Sequence, residues 1–338
     1  MMLTPKAAAM EAVADWYHAW FTGMILTTVT RRGEADAAEL VFRVFRHQQQ
    51  ARFLPGLEKL GLLGLPPAVA AARYHYLSNA IGGVGVEYHE ENSGKAWIRY
   101  PPPRWIWPGA TICGIPSAVN AAMLRGWHAQ NGVSLGCPRL GFVCTGQTVD
   151  GDPGLEGYYF EHDHDLTEGE RLRFTRAERM PRFDPAAAPA LPAQAWPPER
   201  IAKARRGYAV EYARSVMQAA EAQFGEEEAG RLLGHAARLV AMQHFHVTAA
   251  ALGVVGQGFP AFLVALAAAQ GDEAVLLSDG VAQANAAFLR GLSLHPALIA
   301  AWAELHRGAL AAFDRFACLD FSSADGKLRW RIECGGNA

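Results

Sequence analysis

Three cysteines in the N-terminal half, Cys113, Cys137 and Cys144, are the residue type best suited to nucleophilic chemistry. Cys113 comes shortly before Pro116, and proline suits the first position of a helix, so the sequence predicts a helix that begins there. A thiol just ahead of a helix lies near the positive end of the helix dipole, which favours the thiolate. Cys113 is therefore a candidate nucleophile. The alternative is a small apolar residue that fills a gap.

A second cysteine has a possible imidazole partner. The helix predicted over 116–130 is about 20 Å long at a rise of about 1.5 Å per residue, so Cys113 and His128 lie at opposite ends of it. Only a short loop separates His128 from Cys137, and a thiolate–imidazole pair is a common way to activate a cysteine. The alternative is a buried thiol beside a solvent-facing histidine. Cys144 lies within a predicted strand and is expected to be a core residue.

Alternating acids and histidines follow the strand sequence GYYFEHDHDL. On a strand, Glu161 and Asp163 would point to one side, and His162 and His164 to the other. Either carboxylate is a candidate to orient an imidazole or to activate water. Two histidines on one strand face can share a metal, but the sequence anchors no third ligand, so we favour a charged strand end and expect no metal site.

Several polar and aromatic residues are candidates to line a substrate site. His75 and Asn79 are four residues apart on one face of a predicted helix. Trp105 and Trp107 lie in a stiff, proline-rich segment, and Tyr159 lies on the last predicted strand of the half. Aromatic residues held in this way suit a ligand wall or, equally, a cover over the helices. The sequence contains neither a dinucleotide-binding nor a P-loop glycine motif, so we expect no nucleotide and no cofactor.

Composition excludes several classes of protein. The 338 residues carry a net charge of −2 and no run of Lys or Arg, which argues against nucleic-acid binding. Glu11 and Asp15 interrupt the N-terminal apolar sequence, which favours neither a signal peptide nor a membrane span. Five cysteines, an odd number, fit a reducing cytoplasm. We therefore expect a cytoplasmic protein without a membrane partner.

Periodicity predicts which elements hold these residues in place. Helices are expected at 9–30, 34–60, 66–80 and 116–130. One β-hairpin is expected around the turn ENSG and a second around TVDGDPG. This pattern is typical of an α+β protein in which helices pack on one face of an antiparallel sheet.

The two halves of the chain resemble each other. Residues 32–62 align with 224–254 without a gap, and Gly33 falls opposite Gly225. We interpret this as a duplication that gives two related helical and antiparallel-sheet units in tandem, the second more helical. The alternative is a chance likeness between two helices rich in Ala and Leu.

The predicted domains follow from this likeness. They are a catalytic or ligand-binding domain at 1–183, a Pro/Ala-rich linker at 184–198, and a mostly helical, degenerate repeat at 199–338. The second half has no cysteine opposite Cys113, so we expect a scaffold or dimerisation role for it, in a possible homodimer.

The first half resembles the L-2-amino-thiazoline-4-carboxylic acid hydrolase-like family. The resemblance lies in the order of an RRGEADAAELVFRVF helix, the strand AWIRYP, Cys113-Gly114 before a helix, the later LGCP and the strand LEGYYFEHD. A further cysteine of the family pattern is replaced by the Tyr158–Phe160 segment. The resemblance implies hydrolysis of a small ring or amide-like C–N bond, with a cysteine or an activated water as the attacking group. A non-catalytic small-molecule binding or sensor protein with an aromatic-lined pocket is the alternative.

Overall fold

The chain forms two compact units in a computed structural model that describes residues 4–102, 114–278 and 280–333. The first unit is Thr28–Trp196, and the second unit combines Met1–Thr27 with Pro197–Ala338. Residues 1–27 thus belong with the second unit rather than with the predicted domain at 1–183. The reason is aromatic packing: the ring of Trp16 contacts Phe262, and Tyr17 stacks on Phe288.

The first unit is a helical layer on a five-stranded sheet. Its elements, after the end of α1 (Pro5–Arg32), are α2 (Glu34–Lys59), α3 (Pro67–Ile81), β1 (Glu87–Asn92), β2 (Lys95–Tyr100), α4 (Ser117–Gly126), α5 (Asn131–Ser134), β3 (Leu140–Gly146), β4 (Leu155–Glu161) and β5 (Leu172–Phe174). The strand order is β1-β2-β4-β3-β5, antiparallel except for the β3–β5 pair. Both predicted hairpins are present as β1–β2 and β3–β4.

The two faces of this sheet are covered differently. Helix α3 contacts β1, β2 and β4, and α5 contacts β3, so the helices lie on one face. The opposite face carries an apolar cluster of Trp97, Val143 and Tyr158, against which Met180 packs. Since neighbouring strand residues point to opposite faces, Tyr158 and Tyr159 lie in different environments.

The second unit also has helices packed on a sheet, but its sheet has four strands and its helices make up more of the unit. Its elements are α1, α6 (Pro198–Phe224), α7 (Glu226–Ala251), α8 (Phe259–Gln270), β6 (Ala274–Ser278), β7 (Val281–Ala284), α9 (Pro296–Phe313), β8 (Cys318–Ala324) and β9 (Lys327–Glu333). The strand order is β6-β7-β9-β8, antiparallel throughout. Helices α8 and α9 contact the sheet, and α7 packs along α9.

The structure confirms the α+β class with two units, each of which combines helices with a mainly antiparallel sheet. Along the chain, both α1–β4 and α6–β9 run as a long helix pair, a third helix, a hairpin, a helix and a second hairpin. The first four strands of one sheet follow the same order as the four of the other. Gly33 and Gly225 precede α2 and α7 with φ of +94° and +76°, and Gly61 and Gly253 follow these helices with φ of +68° and +72°. Glycine adopts these left-handed angles without steric cost.

The helix predicted over 116–130 is shorter in the structure. It ends at Gly126, and a separate turn follows at His128–Gln130. Gly126 packs on the α2 backbone so closely that a Cβ atom there would lie 2.8 Å from the carbonyl oxygen of Phe42. Strands β5, β6 and β7 are additions that periodicity did not predict, because each is short. Within the described ranges, no helix has the length and apolar character needed to cross a membrane.

Candidate functional site

A group of buried polar side chains lies between the helices and the sheet of the first unit. It consists of His75 on α3, Tyr100 on β2, His128 in the turn after α4, Asn131 on α5 and Tyr159 on β4. Each is at most 4% exposed, and we call this group the buried network. Burial of so many polar atoms is costly unless they are hydrogen-bonded to one another.

Hydrogen bonds connect the five side chains continuously. The Tyr100 hydroxyl lies 3.0 Å from His75 Nδ1, and Asn131 Nδ2 lies 3.1 Å from His75 Nε2. Asn131 Nδ2 also donates to the Tyr159 hydroxyl at 2.8 Å, and that hydroxyl lies 2.7 Å from His128 Nδ1. The two imidazole rings stack with their centroids 4.1 Å apart. The network therefore couples two imidazoles and two phenols through one amide.

Local sequence explains how these side chains come to face each other. On β4, alternation directs Tyr159 to the helical face, where it contacts His128 and Phe142. Pro66 and Pro67 start α3, which presents His75 on its buried side. The early end of α4 at Gly126 allows the chain to turn, so that His128 packs on the sheet.

A second layer of polar side chains orients the amide of Asn131. Gln49 on α2 donates through Nε2 to Asn131 Oδ1 at 3.4 Å and to Ser134 Oγ at 2.8 Å. Arg46 Nη1, one helical turn earlier, donates to Gln49 Oε1 at 2.5 Å. The buried network thus reaches the partly exposed guanidinium of Arg46.

Burial makes the central phenol a very weak acid. The loss of solvent and the nearby phenol of Tyr100 raise the pKa of Tyr159 well above its usual range, and the hydrogen bond from Asn131 offsets only part of this. Tyr159 is therefore a neutral phenol that both donates and accepts hydrogen bonds.

The second unit fills the corresponding place with other side chains. Tyr159 pairs with Ala96 on one side and Phe142 on the other, whereas Trp330 pairs with Ala282 and Phe321. An indole cannot accept a hydrogen bond as a phenol does. Helix α8 occupies the same position in the order of elements as α3, and it buries only apolar side chains. The fold itself therefore does not require the buried network.

Three of the predicted site residues fall in the segment 103–113. Cys113, Trp105 and Trp107 lie outside the described residues. The described chain leads into this segment from β2, where Tyr100 contacts His75, and leaves it at Gly114 before α4.

Cys137 and His128 have different partners in the structure. His128 is buried with Nδ1 on Tyr159, whereas the thiol of Cys137 is half-buried beside the backbone amides of Arg139 and Leu140. No hydrogen bond joins Cys137 to His128 in the described part of the chain. Burial and then the charge of Glu161 raise the pKa of the Cys137 thiol, so this thiol is protonated at neutral pH.

Cys144 is a core residue, as predicted. Its side chain is 2% exposed, and burial raises the pKa of the thiol to about 12. Neither Cys137 nor Cys144 has the low thiol pKa that nucleophilic catalysis requires at neutral pH.

The acidic and histidine residues after β4 lie apart from the buried network. Strand β4 ends at Glu161, so the strand alternation predicted to reach Asp163 does not continue that far. The Glu161 carboxylate lies 3.9 Å from the Arg139 guanidinium. The Asp163 side chain is exposed and lies 2.7 Å from His164 Nδ1. Burial lowers the pKa of His162, whereas Asp163 raises that of His164.

The described ranges contain no group of three or more His, Cys, Asp or Glu side chains arranged to hold a metal ion. His75 and Tyr159 meet in the buried network, but Asn79 donates to the His75 carbonyl oxygen at 2.8 Å within α3.

Sequence reasoning missed Tyr100, Asn131 and Gln49. For Tyr100 a signal existed, because Ala96, Ile98 and Tyr100 alternate on the same face of β2. For the two amides there was none, since only the tertiary structure buries them.

Comparison with models of protein families, with curated proteins and with solved structures finds no match to this chain.

Proposed function

We propose that the first unit is a hydrolase acting on a small ring or amide-like C–N bond, with proton handling by the buried network. The observation that carries the proposal is the stacked pair of imidazoles, His75 and His128, each of which is hydrogen-bonded to other members of the buried network. In the second unit, Trp330 and the apolar face of α8 stand at the corresponding places. A polar network that the fold does not need is costly to keep, and such groups concentrate at functional sites.

Cys113 is the proposed attacking group, and an activated water is the alternative. The thiols of Cys137 and Cys144 have raised pKa values, which leaves Cys113 as the thiol candidate of the first unit. Gly114 and Pro116 lead from Cys113 into α4, and the positive end of that helix favours a thiolate. The resemblance of Cys113-Gly114 to the hydrolase-like family supports the same role.

The reaction requires attack on the carbon of the C–N bond and a proton for the departing nitrogen. A thiolate adds to that carbon, the oxygen or nitrogen on it gains negative charge, and a hydrogen-bond donor stabilises this charge. Water then releases the product, which has gained one water molecule overall. The imidazoles and phenols of the buried network are the groups that we propose for these proton movements.

The test is turnover of a panel of small linear and cyclic amides, detected by mass spectrometry as the gain of one water and by ammonia release. We expect Cys113→Ala and His128→Gln to abolish turnover and Cys144→Ala to retain it, because Cys144 is a core residue. Turnover that survives Cys113→Ala but not His128→Gln would assign the attack to water. Turnover that survives both would end the proposal.

A binding protein without turnover is the second candidate. It is favoured by the two protonated thiols and by the buried network, whose described bonds pair His75 on both ring nitrogens. Native mass spectrometry of the purified protein would then reveal a co-purifying small molecule. Cys113→Ala and Cys137→Ala would leave its affinity unchanged.

We also propose that the second unit is a scaffold that arose by duplication of the first. Its support is the shared strand order and the paired glycines Gly33 and Gly225. The test compares variants in the two units. Variants of the buried network in the first unit should abolish turnover, whereas variants of His306 in the second unit should affect stability alone.

A further inference from the structure

Helices α2 and α7 carry an arginine at the same place. Arg46 falls opposite Arg238 in the gap-free alignment of the two halves. A packing contact supports this equivalence: a Cβ atom on Gly126 of α4 would lie 3.0 Å from the backbone nitrogen of Arg46, and Gly308 of α9 packs on the backbone of Arg238. The surroundings of the two guanidiniums can therefore be compared directly.

In the second unit this arginine has a carboxylate partner within the chain. Arg238 Nη1 donates to Glu304 Oε2 at 3.1 Å, and Arg307 Nη1 donates to Glu304 Oε1 at 2.7 Å. One carboxylate of α9, about one helical turn before Gly308, is thus held by two guanidiniums. Such charge-assisted bonds are among the stronger hydrogen bonds of proteins.

The first unit has two arginines near this place but lacks the carboxylate. The residue one turn before Gly126 is Ala122, which is buried and apolar. The side chain of Arg46 donates to the neutral amide of Gln49 at 2.5 Å. Within the described ranges, neither Arg46 nor Arg171 forms an ion pair, and Nε of Arg171 is buried without a hydrogen-bond partner.

The two guanidiniums of the first unit act on each other. Burial, and then the charge of Arg171, lower the pKa of Arg46, and the charge of Glu168 offsets part of this effect. Glu168 forms no ion pair with either arginine in the part of the chain that the structure describes. Two like charges close together are unfavourable, and a bound anion relieves their repulsion. Both arginines are partly exposed, so a dissolved anion can reach them.

We propose that Arg46 and Arg171 bind the oxyanion of a small ligand, either a carboxylate or a phosphate, as the arginines of the second unit bind the Glu304 carboxylate. The planar guanidinium suits both groups, because its donors match a pair of oxygen atoms. Arg46 also donates to Gln49, which donates to Asn131, so the bound anion lies at the outer end of the bonds that reach the buried network. Binding of the anion does not rest on the proposed hydrolase function.

The first experiment measures binding of simple anions to the full chain. Isothermal titration calorimetry is carried out with sodium phosphate and, separately, with sodium succinate, and sodium chloride at the same ionic strength controls for screening. We expect saturable binding of at least one anion at one site per chain. Tighter binding of phosphate would assign a phosphate ligand, and tighter binding of succinate a carboxylate ligand. The absence of saturable binding of either at concentrations up to about 10 mM would overturn the proposal.

The second experiment places the site with variants. Arg171→Gln should weaken binding about 10- to 100-fold, because charge-assisted bonds to the anion are lost. Arg171→Glu should abolish binding, because it gives Arg46 a carboxylate within the chain, as Glu304 does for Arg238. The matched control is Arg238→Gln, which should leave binding unchanged. Binding that both changes at Arg171 leave unaltered would contradict the proposal.

A third measurement separates this inference from the hydrolase proposal. If an active amide carries the anion, Arg171→Gln should raise KM about 10-fold with little change in kcat, because the anion is bound equally before and during the reaction. Saturable anion binding without turnover of any amide would refute the hydrolase proposal alone. Turnover in a chain that binds neither anion would refute this inference alone.

Discussion

The imidazole rings of His75 and His128 are stacked 4.1 Å apart, with their planes within 15° of parallel. One ring comes from the middle of α3 and the other from the turn after α4. Two imidazolium rings at this distance would repel each other strongly in a buried place, so the contact requires that at least one ring be neutral. A hydrogen bond from Asn131 holds the His75 ring, and one from Tyr159 holds the His128 ring.

Adjacent tyrosines on β4 should differ in their contribution to stability. Tyr159→Phe leaves His128 Nδ1 and Asn131 Nδ2 without their phenol in a buried place, and each orphaned group costs about 1–3 kcal/mol. Tyr158→Phe, on the opposite face, loses one bond to the partly exposed Glu178 and should cost about 1 kcal/mol or less. Urea unfolding at neutral pH measures both. Equal losses would mean that the buried bonds of Tyr159 stabilise the fold no more than the single bond of Tyr158 does.

The cysteines of the first unit should react at very different rates. Iodoacetamide at neutral pH is expected to label Cys113 faster than a model peptide and Cys137 more slowly, because the pKa of Cys137 is raised. Cys144, buried and with a pKa of about 12, should be labelled only after unfolding. Peptide mass spectrometry over time gives the three rates.

Glu161 offers a control on the cause of the slow Cys137 reaction. Its charge raises the pKa of Cys137, so Glu161→Gln should speed the labelling of Cys137 and leave that of Cys113 unchanged. Labelling of Cys137 as fast as a free thiol in the unmodified protein would contradict the assigned protonation.

Acid should destabilise the second unit through His306. Burial, and then the charge of Arg307, lower the pKa of His306 to about 3, whereas the unfolded chain titrates near its ordinary value of about 6.5. Between these two values the unfolded state binds a proton that the folded state does not. The stability that depends on neutral His306 is therefore complete above the unfolded pKa and is lost as the pH falls toward the folded one.

The measurement is the free energy of unfolding at several values of pH. His306→Phe should reduce the loss of stability in this range, by up to about 1.4 kcal/mol for each unit of pH. Phe321→Leu, at a ring that stacks on His306, should lower stability by the same amount at every pH. A variant at His306 with the unmodified pH dependence would show that the imidazole is not the group responsible.

Two helical glycines should respond to alanine with opposite sign. Gly308 on α9 packs so closely on α7 that a Cβ atom there would overlap the carbonyl oxygen of Arg238, so Gly308→Ala should separate the helices and cost several kcal/mol. Gly207 on α6 is exposed, with nothing within 4 Å of an added Cβ. Gly207→Ala should stabilise the protein by about 0.5–1 kcal/mol. Thermal unfolding of the two variants, compared with the unmodified protein, checks the pair.

Sequence patterns predicted the elements well where these are long or strongly alternating. The helix pair ended by Gly33 and Gly61, and the hairpins β1–β2 and β3–β4, follow directly from periodicity and turn residues. The end of α4 was placed too late, because its cause is the contact of Gly126 with the backbone of α2. Such a contact between separate elements leaves no trace in the local sequence.

The candidate site was predicted in part. His75 and Tyr159 were predicted as substrate-site residues and His128 as a catalytic residue, but the contact among the three was not predicted. The proposed Cys137–His128 pair rested on a short loop between them. In the structure β4 presents Tyr159 to His128, while Cys137 bonds to the backbone at Arg139.

The amino-acid sequence by itself determined the long helices and the two hairpins of the first unit, because hydrophobic period and glycine positions act over a few residues. Only the tertiary structure decided which polar groups meet. The direction of the bonds from Arg46 through Gln49 to His128 depends on distances between side chains that are far apart in the chain, and a donor or acceptor role is fixed only when its partner is known.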